Sequence, residues 1–126
     1  MIPTSSDKTK LRDAIDAARE RGRKLSAEIL AGEEMKTSEE FAALLGVSVA
    51  TVHNRRRRGE LLGLKGAVKG YRFPIWQLNK DGKPYATFVE LHESLGGSWS
   101  VYRLLTQQHG ELDGLTGLGA LQRGQD

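Results

Sequence analysis

The sequence predicts a mainly α-helical chain that carries one small, wing-like β-hairpin and ends in a helical module. Three observations carry that expectation. Apolar residues recur at helical spacing in the stretches 8–31 and 87–123. Hydroxyl start signals and glycine stop signals bracket two short helices near the middle of the chain. Only between Gly59 and Pro74 does the apolar pattern shorten to brief runs around a turn-rich segment.

Taken in order, the first six residues are expected to lie outside the fold. Leu11, Ile15, Ala18, Leu25 and Ile29 then mark a long amphipathic helix from about Lys8 to Ala31. Gly22 weakens its middle by about 1 kcal/mol relative to alanine, which leaves room for a break between Arg21 and Lys24. Thr37 stands as an N-cap with Glu40 three residues on, the capping-box spacing, ahead of Phe41, Ala42, Leu44 and Leu45. Gly46 ends that helix, Ser48 caps another from Val49 to about Arg58, and Gly59 offers a left-handed exit. Two short helices across Gly46-Val47-Ser48 have the spacing of a helix-turn-helix.

Leu61–Leu64 and Tyr71–Pro74 flank the turn-rich 65–70 and read as the hairpin, after which Ile75–Leu78 packs back on the core. Asn79–Pro84 is a loop by composition. Thr87 is placed to cap a helix over Phe88–Leu95, and Ser98 or Ser100 another over about Val101–Gln108. A last short helix is expected over Leu115–Arg123. The organisation is therefore an N-terminal helical segment (1–34), a helix-turn-helix with hairpin (35–78) and a C-terminal helical module (79–126).

The charge is unevenly spread. Of a net +3, residues 49–72 contribute +6, and each of the stretches 1–48, 73–100 and 101–126 sums to −1. A local basic surplus of this kind favours a polyanion, of which nucleic acid is the commonest in a cytosol. The 126 residues contain no cysteine, which excludes disulfides, thiolate metal sites and cysteine catalysis. No apolar run approaches the ~20 residues of a membrane span, and no signal peptide opens the chain, so a cytoplasmic protein is expected. His53, His92 and His109 are scattered and no nucleotide-binding loop is present, so no enzyme activity, metal or cofactor is expected. His92 reads as helix surface, and Trp76, Trp99, Tyr71, Tyr102, Phe73 and Phe88 read most simply as core aromatics.

In the helix-turn-helix reading, Ala42 lets the two helices approach, and Val47 and Val52 bury the second against the first. The second helix then has a polar face free for a major groove. By helical phase Val49, Ala50, His53 and Asn54 are the candidate base readers. Ser48, Thr51, Arg55, Arg57 and Arg58 complete the DNA-binding set on this helix, the last two as phosphate contacts. Lys65, Lys69 and Arg72 on the hairpin are candidates for the flanking backbone, with a plain solvated loop as the alternative. Arg56 points to a partly buried face and is expected to lay its stem on the core and pair with Glu39 or Glu40. Such regulators usually place two copies on a palindromic site, so a homodimer is expected, with the stripe on the first helix as the candidate contact. Residues 73–126 sum to −2 and are apolar-rich. Trp99, Tyr102, Leu105, Leu112, Leu115, Leu118 and Leu121 are therefore candidates for a protein-binding surface, with plain packing on the core as the alternative.

Two stretches carry a family likeness. Leu45-Gly46-Val47-Ser48, Arg57-Arg58-Gly59-Glu60-Leu61-Leu62, Tyr71-Arg72-Phe73-Pro74 and Trp76-Gln77 resemble antitoxin-type helix-turn-helix transcription regulators. The tail Trp99-Ser100-Val101-Tyr102-Arg103-Leu104-Leu105, with Leu112-Asp113-Gly114-Leu115-Thr116 and Leu121-Gln122-Arg123-Gly124, resembles the toxin-binding domain of the Xre/MbcA/ParS group, with Gly117 where that pattern has proline. The resemblance spans roughly 36–124 and implies a DNA-binding antitoxin that represses its own operon and binds a toxin, often of the RES kind. The expectation is a sequence-specific double-stranded DNA-binding transcription regulator. The alternative is a protein-interaction module that binds a partner without DNA.

Overall fold

The computed structural model describes residues 5–66, 68–108, 110–112 and 114–124. Helix α1 (Ser5–Leu30) runs through Gly22 without a break and spans about 39 Å at 1.5 Å per residue. Ser5 and Ser6, expected outside the fold, are its first residues, and Met1–Thr4 lie outside the described residues. Residues 6–25 are exposed on every face. The helix joins the body at its C-terminal end, where Ser26, Ala27 and Ile29 are half-buried and Leu30 is buried at 3% exposure.

Strand β1 (Met35–Lys36) leads into helix α2 (Ser38–Leu45), then helix α3 (Val49–Arg57), then strand β2 (Phe73–Pro74). The strands pair antiparallel, Met35 opposite Pro74 and Lys36 opposite Phe73. The expected hairpin is thus closed differently from its sequence pattern. Its arms meet at one bridge, Leu64 to Arg72, with both backbone hydrogen bonds at 2.8 Å. The ladder partner of Phe73–Pro74 comes instead from ahead of the helix-turn-helix. Met35–Lys36 is too short to show a period of two, so only the folded chain reveals it.

Residues 61–64 run extended between two apolar clusters, and the alternation of side chains along extended backbone explains both. Leu61 points to one side and joins Phe41, Ala42, Val52 and Phe73. Leu62 and Leu64 point to the other and join Leu30, Met35, Tyr85, Phe88, Val101 and Leu105. Gly63 shares the Leu61 side, where a β-carbon would lie 2.7 Å from Arg56 Cδ and 2.9 Å from Phe73 Cε2. The fully buried Gln77 fastens this segment. Its side-chain oxygen accepts from Leu62 N–H at 2.8 Å, and its amide nitrogen donates to Leu62 O at 2.9 Å and to Pro74 O at 3.1 Å.

Helices α4 (Phe88–Leu95), α5 (Ser98–Thr106) and α6 (Gly117–Gly124) complete the chain. The bounds of α4 match the sequence pattern, but Thr87 is itself helical in conformation and makes no side-chain cap bond. Helix α5 starts earlier than expected, with Gly97 as N-cap and Ser98 inside the helix. Thr116 starts α6, its hydroxyl accepting from Gly119 N–H at 2.9 Å. Gly117 lets α6 reach α5, since a β-carbon there would sit 2.8 Å from Leu104 O and 3.0 Å from Leu105 Cα. The architecture is mainly helical with one two-stranded sheet.

Candidate nucleic-acid interface

The basic helix is held by local chemistry at both ends. Thr37 Oγ1 accepts from Glu40 N–H at 3.1 Å while Glu40 Oε1 accepts from Thr37 N–H at 2.9 Å, so the capping box forms at the start of α2. Those bonds to Thr37, its backbone N–H first, hold the Glu40 carboxyl below its ordinary value. Gly46 turns the chain at φ 70°, and Ser48 Oγ accepts from Thr51 N–H at 3.1 Å to open α3. At the far end Glu60 N–H donates to Arg55 O and Gly59 N–H to Arg56 O, both at 3.0 Å, a Schellman closure. Gly59 takes φ 78° there. Val52 is fully buried between the helices.

The outward stripe of α3 is Ala50, Asn54 and Arg57, at i, i+4 and i+7, all exposed, with exposed Arg58 just beyond. Asn54 Oδ1 accepts from Arg57 Nη1 at 2.8 Å, so the two side chains form one polar unit. Two of the four candidate readers face elsewhere. Val49 is half-buried against the helix-turn-helix core, and His53 turns its ring toward Tyr71 and Phe73, with centroids 5.6 and 6.2 Å away. Both line a shallow cleft between α3 and the wing with Lys69, Tyr71 and Arg72. Ser48 and Thr51 are tied to each other, their hydroxyls 2.9 Å apart, and Arg55 is half-buried. On the wing, Lys65 and Lys69 are exposed. Arg72 is half-buried, and its Nη1 donates to Lys69 O and Tyr71 O at 3.1 Å, so it braces the loop.

Arg56 lays its stem on the core as expected, over Gly63, but its head partners no acid among the described ion pairs. It stacks on Tyr71, Cζ 3.9 Å from the ring centroid, and its Nε donates to His53 Nδ1 at 3.2 Å. Lys65 Nζ lies 5.6 Å from the same ring. Tyr71, absent from the sequence-derived set, therefore joins α3 to the wing through cation–π contacts. Burial, followed by the charges of Arg56 and Arg57, pushes His53 below its ordinary pKa. Because protonation is harder in the fold than in the open chain, the neutral ring contributes stability above about pH 6.5, and that contribution is lost as pH falls through the folded value. Unfolding free energy measured from pH 8 to 5 should fall on the acid side, and His53→Gln should flatten the fall. An identical acid slope in the variant would remove His53 as its source.

His92 is not bare helix surface. It is half-buried, and its Nδ1 lies 2.9 Å from Gly59 O and 2.8 Å from Phe88 O. Two carbonyl neighbours assign the proton to Nδ1. The ring thereby latches α4 onto the exit of α3.

The candidate partner residues divide. Leu105 is 1% exposed and belongs to the core, so it supports α5 instead of offering surface. Trp99 and Tyr102 pack edge to face at 5.5 Å, and Trp99 Nε1 donates to Lys65 O at 2.9 Å. They form a groove with Leu25 and Ile29 of α1. Leu112 and Leu121 line a separate apolar groove with Thr87, Leu91 and Ala120. Leu118 packs partly on the core, and Leu115 is half-buried. Among the described residues no group of three or more His, Cys, Asp or Glu could hold a metal ion, and no helix is long and apolar enough to cross a membrane.

No family model and no curated protein matches the chain. Its fold is similar to one solved structure, the NMR structure of Rv2175c. The TM-score is 0.64 over 75% of each chain, at 22% sequence identity. Likeness at that identity speaks to the fold alone.

Proposed function

We propose that this chain is a sequence-specific double-stranded DNA-binding transcription regulator, an antitoxin-like repressor working in the cytoplasm. The observation that carries the reading is the exposed stripe of Ala50, Asn54, Arg57 and Arg58 on a helix capped at both ends, beside a wing that exposes Lys65 and Lys69. In this reading α3 enters the major groove, with Asn54 toward the bases, Ala50 toward a thymine methyl, and the arginines and wing lysines on phosphates. The tie between Arg56, Tyr71 and His53 fixes the wing relative to α3, so both reach the duplex as one surface. Two copies bind a palindromic site.

The groove of Leu112 and Leu121 favours a protein partner as well, and by the resemblance to Xre/MbcA/ParS antitoxins that partner is a RES-type toxin. A salt titration of duplex binding separates the DNA reading from a pure protein-interaction module. Each neutralised phosphate adds about −0.9 to the slope of log K against log salt, so a steep negative slope is expected. Absent or salt-indifferent binding would reject the DNA reading and leave the interaction module.

A further inference from the structure

We propose that α1 is one strand of a parallel two-stranded coiled coil formed with a second copy of this chain. Leu11, Ile15, Ala18, Gly22, Leu25 and Ile29 follow one another at intervals of four, three, four, three and four residues. That is an uninterrupted 3.5-residue repeat, the seam of a left-handed coiled coil, and narrower than the stripe of a helix lying on its own domain. The protein leaves most of this seam uncovered. Leu11 is 61%, Ile15 43% and Leu25 57% exposed, on a helix whose residues 6–25 are all exposed. Ser26 and Leu30, which seat α1, lie about a quarter turn from the seam, and of the seam residues Ile29 packs partly on the core, so the body covers only the seam's base.

Charge selects a second copy and its direction. In a parallel pair, Asp7 of one helix lies beside Arg12 of the other, twice by symmetry, and the following flanking pairs are Ala14 with Arg19 and Arg21 with Ser26. No like charges meet among these flanking pairs, and Lys8, the seam position ahead of Leu11, meets its copy only at the open end of the coil. An antiparallel pair that matched Leu11 to Ile29 and Ile15 to Leu25 would set Arg19 against Arg19 and Arg21 against Arg21. The parallel form also keeps both basic helices at one end of the assembly. At the base of the seam, the groove between Leu25, Ile29, Trp99 and Tyr102 opens beside the second helix.

The inference concerns assembly and is tested without nucleic acid, so its failure is distinct from failure of the DNA reading. Sedimentation of the full chain at micromolar concentration should give twice the single-chain 13.9 kDa. Ile15→Asp should return the single-chain mass, while Asp13→Asn, on the opposite face, should leave the dimer. Ile15 touches nothing in the body, and retained methyl resonances of the buried Val101 and Leu105 in the variant check that the body stays folded. Because the chain has no cysteine, Leu11→Cys gives one thiol per copy. Mild oxidation should link the copies only in the parallel arrangement. A single-chain mass at every concentration, a dimer that survives Ile15→Asp, or Leu11→Cys copies that stay unlinked would each overturn the proposal. So would a monomer that sediments with anionic lipid vesicles.

Discussion

Replacing Gln77 with leucine should cost about 2–5 kcal/mol of folding free energy, because leucine fills the space but leaves buried backbone groups without their partner. Gln77 is fully buried and answers both the N–H and the carbonyl of Leu62, together with Pro74 O. Each buried polar group stripped of its partner costs about 1–3 kcal/mol, whereas an intact hydrogen bond adds only about 1. The penalty falls on the segment that separates the two apolar clusters, so it should reach the helix-turn-helix and the C-terminal helices together. Urea denaturation should show one cooperative transition at a lower midpoint. Gln77→Glu should also destabilise, since a carboxylate would face Leu62 O where an amide donated. A loss below about 1 kcal/mol in the leucine variant would show that water or relaxation satisfies those groups.

Asn54→Ala and Arg58→Ala should fail in different ways. Under the DNA reading, Asn54 makes a bidentate contact to adenine, and its loss should relax sequence choice by about 1–3 kcal/mol. Arg57 Nη1 already holds Asn54 Oδ1 at 2.8 Å in the free protein, which restricts the rotamers the amide samples before it meets a base. Arg58 sits past the helix end, more than two-thirds exposed, 3.6 Å from Glu60. An ion pair that open is weak, so the guanidinium can leave it for a phosphate. Arg58→Ala should therefore weaken binding to every duplex alike and flatten the salt slope by about 1. Competition between a specific and a scrambled duplex measures both effects. If the two variants lost specific and non-specific affinity in the same ratio, the division into reader and anchor would be wrong.

What the sequence determined by itself is what lies within one helical turn of the residues that cause it. Thr37 with Glu40, Gly46, Ser48 and Gly59 each act on backbone groups a few positions away, and the caps of α2 and α3 stand where those residues put them. The amphipathic spacing of α1 was legible for the same reason, although the helix runs through Gly22 without the break that glycine left room for. The hydroxyls expected to cap the later helices make no cap bond there: Thr87 stands at the start of α4 in helical conformation, and Gly97 instead of Ser98 or Ser100 is the N-cap of α5. Of the four expected readers on α3, Ala50 and Asn54 are exposed, whereas Val49 packs on the core and His53 turns to Tyr71 and Phe73, contacts that come from distant segments.

Only the tertiary structure decided the contacts that join distant segments. The pairing of Met35–Lys36 with Phe73–Pro74, the Gln77 bridge to Leu62 and the His92 latch on Gly59 each link residues 15 to 39 positions apart. Such contacts leave no trace in spacing, because two-residue strands have no measurable period and a glutamine or histidine reads as surface until its neighbours are known. Burial then reverses the meaning of the residue. Gln77 becomes a structural amide and His92 a latch, because a polar group removed from water is kept only where the fold supplies its partners.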